Sequence, residues 1–463
     1  MKEIIAKTYH EAEEFLSEIP KFTKKNPFEE TKGFYTFIQN CDNGRYCEKN
    51  LGKIIHIAGT NGKGSVCAFL QSICIESGYR TAMFTSPHLR TTRERFCIDG
   101  KMISEEAFVE AFNWLTKNIE RYQYQMPDYC PTYFERLFFM GIYIFARAGV
   151  AVTILETGLG GRLDTTNVIR QPVLTVITQI GLDHMEYLGT TIEAIAAEKA
   201  GIIKPKIPVI FSDRKKAASD VIRKKAVQSG CFCEAVSKND YKINEFQKKY
   251  IDFSVSSLYY DYGSFLTGTT AAYQAENAAV SIRACEILKK ECDFDKITVQ
   301  SIKEGILNMH WAGRMEEIVP GVFIDGAHNE DGIAAFVQSV QNMHDFAGIG
   351  KKGSCVLIFS VVKDKQYDKM IEMLCSLQMI TDFVLTHIPG GRGADLVGLQ
   401  ELFVRFTKDS GQRIHIFEEI EDAVAFGLLA RGENGVSYVV GSLYLAGLVE
   451  EIIDVNGGYH DRF

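Results

Sequence analysis

The sequence has none of the marks of a secreted, membrane-spanning or zinc-binding protein. Its twelve cysteines include no C-x-x-C pair and no zinc-type spacing, which favours reduced thiols in a cytoplasmic protein. The first residues lack the basic and then apolar pattern of a signal peptide. The longest apolar stretch, residues 137–152, contains Arg147 and two glycines and is too short to span a bilayer. We therefore predict a buried helix that leads into a strand there.

A surplus of basic residues is also missing. The chain has 51 Lys and Arg against 59 Asp and Glu, a net charge of −8, which argues against a nucleic-acid-binding surface. Ligands with phosphate or carboxylate groups would then need a local basic pocket. The apolar share of 46% is ordinary for a globular protein. A chain of 463 residues is longer than a single hydrophobic core can organise. We expect two domains, a monomer and small-molecule partners.

Strand-like and helical patterns alternate along most of the chain. This alternation predicts an α/β protein with mainly parallel sheets and helices on both faces. Residues 240–270 predict a small antiparallel patch, followed by a helix over 271–289. A second doubly wound, Rossmann-like domain is predicted from Val322, with the domain boundary between residues 311 and 312. The strand-like runs are 82–85, 150–156, 173–179 and 208–211 in the first block and 355–362, 382–389, 413–419 and 437–447 in the second.

Residues 53–65, KIIHIAGTNGKGS, have the pattern of a phosphate-binding loop. Glycines let backbone N–H groups turn toward an anion, Lys63 supplies a cation, and the following helix adds its positive dipole end. Two departures from the standard pattern, Ile57 in place of glycine and the inserted Gly64, leave an ordinary glycine-rich turn as the alternative. A nucleoside triphosphate is the expected ligand. The predicted binding residues are Gly59, Thr60, Asn61, Gly62, Lys63, Gly64 and Ser65.

Polar residues at the ends of two further predicted strands suit a metal ion. Glu156 ends one strand and His184 follows another, so both should lie at the sheet edge that carries Ser65. The Ser65 hydroxyl and the Glu156 carboxylate suit Mg²⁺, which would bridge the nucleotide phosphates, whereas a histidine ligand is unusual for this ion. By pattern alone His184 fits an ordinary structural histidine. Lys199, on a helical segment that breaks at Pro205, likewise fits a surface lysine by pattern alone.

Several longer motifs follow one another along the chain: AGTNGKGS at 58–65, SPHL at 86–89, ERF at 94–96, TYFE at 132–135, ETGLGGRLDTTN at 156–167, DH at 183–184, LG at 188–189, EKAGI at 198–202, WAGRME at 311–316, DGAHN at 325–329 and GSLYLAG at 441–447. In the same order they resemble the folylpolyglutamate synthase branch of the Mur ligase superfamily. The resemblance runs from about residue 53 to 450.

The resemblance implies an ATP-dependent ligase that adds L-glutamate to the carboxylate of a folate through an acyl phosphate. Activity on dihydropteroate, the dihydrofolate synthase reaction, is left open. ATP and Mg²⁺ are the implied cofactors. Residues 1–311 would form the ATP-binding, Mur-ligase-like domain and residues 312–463 the C-terminal glutamate-ligase domain. Two alternatives remain: a cell-wall Mur ligase, and a P-loop nucleotide-binding module without ligase activity.

The resemblance also implies roles for single residues. Catalytic roles fall to Lys63, Lys199, His184, Arg314 and His328. Lys199 would be carbamylated by CO₂, and the metal ligands would be Ser65, Glu156, His184 and Lys199. Asn277 would contact the nucleotide base, Arg314 would clamp phosphate, and Asp325 would face the nucleotide. The implied substrate residues are Ser86, Pro87, His88, Phe134, Asp164 and Ser442.

Two positions depart from the family pattern. Glu330 stands where proline is expected after DGAHN, which should change the start of the next helix without removing a functional group. The segment THIPGGRG also differs in wording from the family, and the role of Arg392 is left open.

Overall fold

A computed structural model describes residues 3–20, 26–257, 259–363, 367–389, 393–408 and 410–457, and Arg392 lies outside these ranges. The chain divides into two compact units. The first unit consists of Met1–Asp240, Ser257–Asp261 and Asn277–Ile306. The second consists of Tyr241–Ser256, Tyr262–Glu276 and Leu307–Phe463. The domain boundary at residue 311 stays a prediction.

An eight-stranded sheet forms the centre of the first unit, in the order β4-β3-β2-β5-β1-β6-β7-β8. All neighbours are parallel except in the β2-β3-β4 edge, so the prediction of a mainly parallel sheet is confirmed. The edge strands β3, β4 and β8 were not predicted. The strands are β1 (Lys53–Ala58), β2 (Thr81–Phe84), β3 (Phe96–Ile98), β4 (Lys101–Met102), β5 (Val152–Glu156), β6 (Leu174–Ile177), β7 (Val209–Ser212) and β8 (Cys233–Val236).

Helices cover this sheet, and several begin at a side-chain cap that the sequence supplies. The N-terminal caps include Thr8, Ser104 and Thr191, whose side chains accept backbone N–H bonds. The helices are α1 (Tyr9–Glu18), α2 (Phe28–Asn40), α3 (Lys63–Glu76), α4 (Glu105–Gln123), α5 (Tyr133–Ala148), α6 (Met185–Leu188), α7 (Ile192–Lys199), α8 (Lys216–Gln228), α9 (Gln274–Glu291) and α10 (Val299–Asn308).

The long apolar stretch forms a buried helix and then a strand, as predicted. Helix α5 begins at a capping box between Thr132 and Glu135 and ends at Gly149, whose φ of 63° suits glycine. Strand β5 follows three residues later. Among the described residues, no helix combines the length and the apolar character that crossing a membrane requires.

The second unit contains two sheets. The antiparallel patch predicted at 240–270 is present as a three-stranded sheet in the order β11-β10-β9. The other sheet has the order β12-β13-β17-β14-β15-β16 and is parallel apart from the edge strand β12, which begins at Arg314. The strands are β9 (Tyr241–Phe246), β10 (Ile251–Val255), β11 (Ser264–Thr267), β12 (Arg314–Val319), β13 (Val322–Asp325), β14 (Cys355–Phe359), β15 (Ile380–Thr386), β16 (Arg413–Phe417) and β17 (Val436–Val440).

Helices α11 to α15 complete the second unit. Its core combines apolar side chains of β13, β14, β15 and β17 with those of the flanking helices. Helix α11 begins at Glu330, and Asn329 caps it by accepting the Gly332 N–H at 2.8 Å, so the missing proline leaves a well-formed helix start. The helices are α11 (Glu330–Asp345), α12 (Asp368–Cys375), α13 (Leu396–Thr407), α14 (Ile420–Arg431) and α15 (Leu443–Gly457).

Candidate functional site

The glycine-rich loop between β1 and α3 is held by the end of the neighbouring strand β6. The backbone N–H groups of Thr60 and Asn61 donate to the Gln179 carbonyl at 2.8 and 3.3 Å. The Thr178 hydroxyl donates to the Asn61 carbonyl at 2.7 Å. A Cβ added at Gly59 would lie 1.8 Å from the Thr178 Oγ1, so only glycine fits there. The loop is therefore a turn that hydrogen bonds hold against the residues directly after β6.

Helix α3 begins directly after this loop. Gly62 precedes it with a φ of 86°, and a Cβ at that position would lie 2.4 Å from the Asn277 Oδ1. This close approach places Asn277, a predicted nucleotide residue on α9, against the loop. Gly64 and the buried Ser65 lie in the first turn of α3, where backbone N–H groups have no helical acceptor.

Lys63 and Glu156 meet beside the loop. Glu156 ends β5, where its residue pairs with Ile57 of β1, and is only 3% exposed. Its Oε1 lies 3.7 Å from the Lys63 Nζ, and its Oε2 accepts the Ser86 N–H at 3.0 Å. The cation, the carboxylate and the segment that carries the cis Ser86-Pro87 bond are thus brought together.

The residues at this edge fit a magnesium ion through their oxygen atoms. Within the described ranges there is no group of three or more His, Cys, Asp or Glu side chains that could hold a metal. Mg²⁺ does not need one, because it keeps water and phosphate oxygens and takes one or two protein ligands. The Glu156 carboxylate and the Ser65 hydroxyl are ligands of that kind.

His184 lies on the loop that follows β6. It has a φ of 49°, in the left-handed region, and its Nε2 lies 4.0 Å from the Asp183 Oδ2. Its side chain is partly exposed. A metal-binding role for His184 stays a prediction.

Lys199, the last residue of α7, is buried against the loop. It is 4% exposed, and its Nζ donates to the Gly59 carbonyl at 2.7 Å. Burial, aided by the Lys63 charge, lowers the pKa of Lys199 to about 7, although Asp183 and Asp164 oppose the shift. The surface-lysine interpretation is therefore wrong. A lysine in this position is partly neutral, which is the form that reacts with an electrophile.

Asp164 holds the glycine-rich segment that follows β5. Its Oδ1 accepts from the Thr166 N–H and hydroxyl at 3.0 and 2.6 Å, and its Oδ2 accepts from the Leu159 N–H at 2.8 Å. The Thr166 oxygen also lies 2.8 Å from the Nε2 of His56, and complete burial lowers the pKa of that histidine to about 3. These bonds favour a role in shaping the segment, and contact of Asp164 with a substrate stays a prediction.

Two aromatic or imidazole side chains flank the same edge. The Nδ1 of His88 accepts from the Arg95 Nε at 3.0 Å, so His88 is neutral and carries its proton on Nε2. The ring of Phe134 covers Gly158, where an added Cβ would lie 2.5 Å from the ring Cζ. His88 can therefore donate one hydrogen bond, and Phe134 supplies an apolar surface.

A second group of predicted residues surrounds the end of β13 in the second unit. Asp325 is 2% exposed, and its Oδ2 accepts the Tyr273 hydroxyl at 2.6 Å. Burial raises the pKa of Asp325, while the charge of Arg314, its partner in the β12–β13 pair, opposes that shift. A Cβ at Gly326 would lie 2.4 Å from the Arg314 Nη1. The structure thus brings Arg314 and Asp325 together.

His328 and Ser442 lie on two loops of this unit. The His328 Nδ1 is 2.7 Å from the Gly326 carbonyl, and because a carbonyl only accepts, Nδ1 carries the proton. The buried Ser442 hydroxyl accepts the Tyr444 N–H at 3.1 Å. Their predicted roles stay predictions.

Sequence reasoning missed two residues of these sites. Tyr273 is bonded to Asp325, and no motif or periodicity pointed to it. Thr178 holds the glycine-rich loop, and its position near the end of the predicted strand 173–179 was the one signal that could have found it.

Comparison with known proteins identifies the family. The Mur ligase middle domain family matches residues 110–285. The dihydrofolate synthase/folylpolyglutamate synthase of Bacillus subtilis is 35% identical over 405 residues, which cover 86% of this chain and 89% of the relative. The chain belongs to the folylpolyglutamate synthase/dihydrofolate synthase family of the Mur ligase superfamily.

Other members of this family agree over the full length. The folylpolyglutamate synthase of Lacticaseibacillus casei is 31% identical over 409 residues, 87% of this chain and 90% of the relative. Escherichia coli FolC in complex with DHPP and ADP superimposes with a TM-score of 0.79 at 26% identity, and the match covers 98% of this chain and 99% of FolC. Membership of this family makes the chain an ATP-dependent ligase, and the two alternatives left open by the sequence lose their support.

Proposed function

We propose that this chain joins the amino group of L-glutamate to the free carboxylate of a folate, at the expense of ATP, and that it accepts dihydropteroate in the same site. The observation that carries the proposal is the glycine-rich loop before α3, where the Lys63 Nζ lies 3.7 Å from the Oε1 of the buried Glu156 at the end of β5. That loop stands in a chain that matches folylpolyglutamate synthases over nearly their whole length.

The reaction needs two steps because a carboxylate is a poor electrophile. A carboxylate oxygen of the acceptor attacks the γ-phosphorus of ATP, the bond to the bridging oxygen breaks, and ADP leaves. The glutamate amine then attacks the acyl phosphate carbon, inorganic phosphate leaves, and the amine loses a proton as the amide forms. The protein supplies alignment, charge stabilisation and exclusion of water.

The residues around the loop are suited to the first step. Lys63 and the N-terminus of α3 would offset charge on the transferring phosphoryl group. Mg²⁺, held by the Glu156 carboxylate and the Ser65 hydroxyl, would supply further positive charge at the phosphate oxygens. Asn277, which lies close to Gly62, would contact the nucleotide.

Lys199 is proposed to carry a carbamate. The neutral amine attacks CO₂ through its nitrogen and loses one proton, which converts a buried cation into a carboxylate. Its contact with the Gly59 carbonyl and the lowered pKa support this reaction. The carboxylate would join His184 at a second metal position.

In the second unit, Arg314 is proposed to bind phosphate and His328 to act at the reaction centre, with Asp325 facing the nucleotide. The bidentate fork of Arg314 suits phosphate. We also propose a monomer in the cytoplasm whose partners are folates or dihydropteroate and L-glutamate, without nucleic acid. The twelve free cysteines support that compartment.

The test is phosphate release from ATP with glutamate and one of three acceptors: tetrahydrofolate, dihydropteroate or a UDP-muramyl peptide. We expect release with tetrahydrofolate and a product that is heavier by one or more glutamate residues in mass spectrometry. Dihydropteroate decides the second activity. Release with the muramyl peptide alone, or with none of the three acceptors, would overturn the proposal.

A further inference from the structure

The N-terminal helix α1 is hydrogen-bonded to the loop formed by residues 86–95. The Tyr9 hydroxyl donates to the Glu13 Oε1 at 2.5 Å and lies 2.7 Å from the Thr91 Oγ1. The Thr92 hydroxyl donates to the same Glu13 oxygen at 3.0 Å. Because the carboxylate can only accept, the Tyr9 proton points to Glu13 and Thr91 donates to the phenol oxygen. Burial and the bond to Glu13 raise the pKa of Tyr9 to about 12, so it stays protonated.

The 86–95 loop also has hydrogen bonds within itself. The Glu94 carboxylate accepts the N–H groups of Leu89, Arg90 and Thr91 at 2.6, 2.8 and 2.7 Å. These charge-assisted bonds tie Leu89, Arg90 and Thr91 to one carboxylate. We expect a shift at Thr91 to move Leu89 and with it the adjacent His88.

The other end of the 86–95 loop reaches the proposed reaction site. The Ser86 N–H donates to Glu156, whose other oxygen faces Lys63. Arg95 donates to the Nδ1 of His88 and so directs its remaining N–H. The loop thus connects α1 with the group of residues around the phosphate loop.

Helix α1 and the residues before it are firmly anchored. Glu3 forms a two-bond ion pair with the buried Arg136 of α5, at 2.9 and 2.5 Å. Ala6 exchanges two bonds of 2.8 Å with the Asn113 side chain of α4. A helix tied down in this way can act as a fixed support for the loop.

We infer that Tyr9 and Glu13 are positioning residues for the folate acceptor, and that they act by holding the 86–95 loop so that residues 86–88 meet the acceptor. The inference rests on the proposed function. The bonds to α1 lie at the Thr91 and Thr92 end of the loop, and the opposite end meets the proposed ATP site where the Ser86 N–H donates to Glu156. The affinity for the acceptor should therefore depend on the bonds of Tyr9 and Glu13 to Thr91 and Thr92, here called the α1–loop contact, and the affinity for ATP should not.

Two variants in α1 test its contact with the 86–95 loop. Tyr9→Phe removes only the hydroxyl and keeps the ring, and Glu13→Ala removes the shared carboxylate. We expect the KM for tetrahydrofolate to rise about tenfold, the loss of one charged hydrogen bond, with the KM for ATP within about twofold of wild type. The matched controls are Tyr124→Phe, at a side chain that is 90% exposed, and Glu14→Ala on the outer face of α1, and both should match wild type.

The loop side gives an independent check. Thr92→Val should raise the same KM, and combined with Glu13→Ala it should add little, because both variants break one interaction. If Glu13→Ala does not fold, Tyr9→Phe and Thr92→Val decide the question. An unchanged acceptor KM in folded variants would overturn the inference, and so would equal rises in both KM values with a lowered melting temperature. Wild-type protein without any folate-dependent phosphate release would instead overturn the proposed function.

Discussion

Lys199→Met replaces a buried amine with an uncharged side chain of similar length. The Lys199 Nζ lies 2.7 Å from the Gly59 carbonyl, and burial, aided by Lys63, lowers the pKa from 10.5 to about 7. At about pH 7.5 such an amine is roughly three quarters neutral, whereas an ordinary lysine is about 0.1% neutral. The structure therefore increases the neutral, reactive form by roughly several hundredfold.

The variant should lose at least about two orders of magnitude in turnover, the scale for removing one strong electrostatic group. A short-chain carboxylic acid should restore part of the activity by occupying the vacated position. The assay is phosphate release with tetrahydrofolate and glutamate. Lys216→Met, the same change at an exposed lysine, is the control and should be fully active. Intact wild-type protein, measured under gentle conditions, should carry the added mass of one CO₂.

The pH dependence has a definite sign. Because the folded pKa of unmodified Lys199 lies below its unfolded value, the unfolded chain takes up the proton more readily as pH falls from 10.5 to about 7. In CO₂-free buffer, Lys199→Met should therefore melt higher than wild type, and most clearly below pH 7. Full activity of the folded variant, together with wild type that carries no added mass, would refute the carbamate.

Three further changes test other parts of the structure. Lys63→Ala should lower turnover by at least about two orders of magnitude and leave the fold intact, since in the proposed site its side chain would meet the phosphates and it contributes little packing. Near-normal turnover in a folded variant would contradict the phosphate-loop assignment. Gly62→Ala should weaken ADP binding at least tenfold in calorimetry, about the effect of 1.4 kcal/mol, because its Cβ would lie 2.4 Å from the Asn277 Oδ1; unchanged affinity would argue against that contact. Asp382→Asn should destabilise the protein at pH 7 by about 1 kcal/mol, the scale of a solvent-screened ion pair. Burial raises the pKa of Asp382, but hydrogen bonds led by Arg413 lower it to about 2. The difference in unfolding free energy between wild type and Asp382→Asn, measured with urea, should therefore disappear as pH falls from about 4 to about 2. A difference that does not change with pH would contradict the ion pair.

Local patterns in the sequence were enough to predict the fold class. Apolar runs such as the one that forms β1 recur between helical periods, and that alternation has few solutions other than a mainly parallel sheet covered by helices. The glycine-rich loop before α3 was predictable for a similar reason, because its glycines and Lys63 lie next to one another in the chain, and its binding of phosphate stays a prediction. The edge strands β3 and β4 escaped prediction because they are too brief to show a period. Strand β8 is as long as β7, but it is mostly half-buried and has no continuous apolar run.

The sequence pattern and the tertiary structure disagree most clearly at Lys199. The amphipathic pattern of α7 placed this lysine on the surface, but packing against Gly59, 140 residues away in the chain, buries it and changes its pKa. The contact of Tyr273 with Asp325, 52 residues away, was equally invisible to motif reasoning.

By itself, the sequence determined the alternation of strands and helices, the glycine-rich turn before α3 and the family resemblance, because each of these depends on residues that are neighbours in the chain. Only the tertiary structure decided that Lys199 is buried, that Lys63 faces Glu156, and that Tyr9 reaches Thr91 across 82 residues. Burial and hydrogen bonding between distant segments arise when strands and helices pack, and periodicity carries no information about which distant partners will meet.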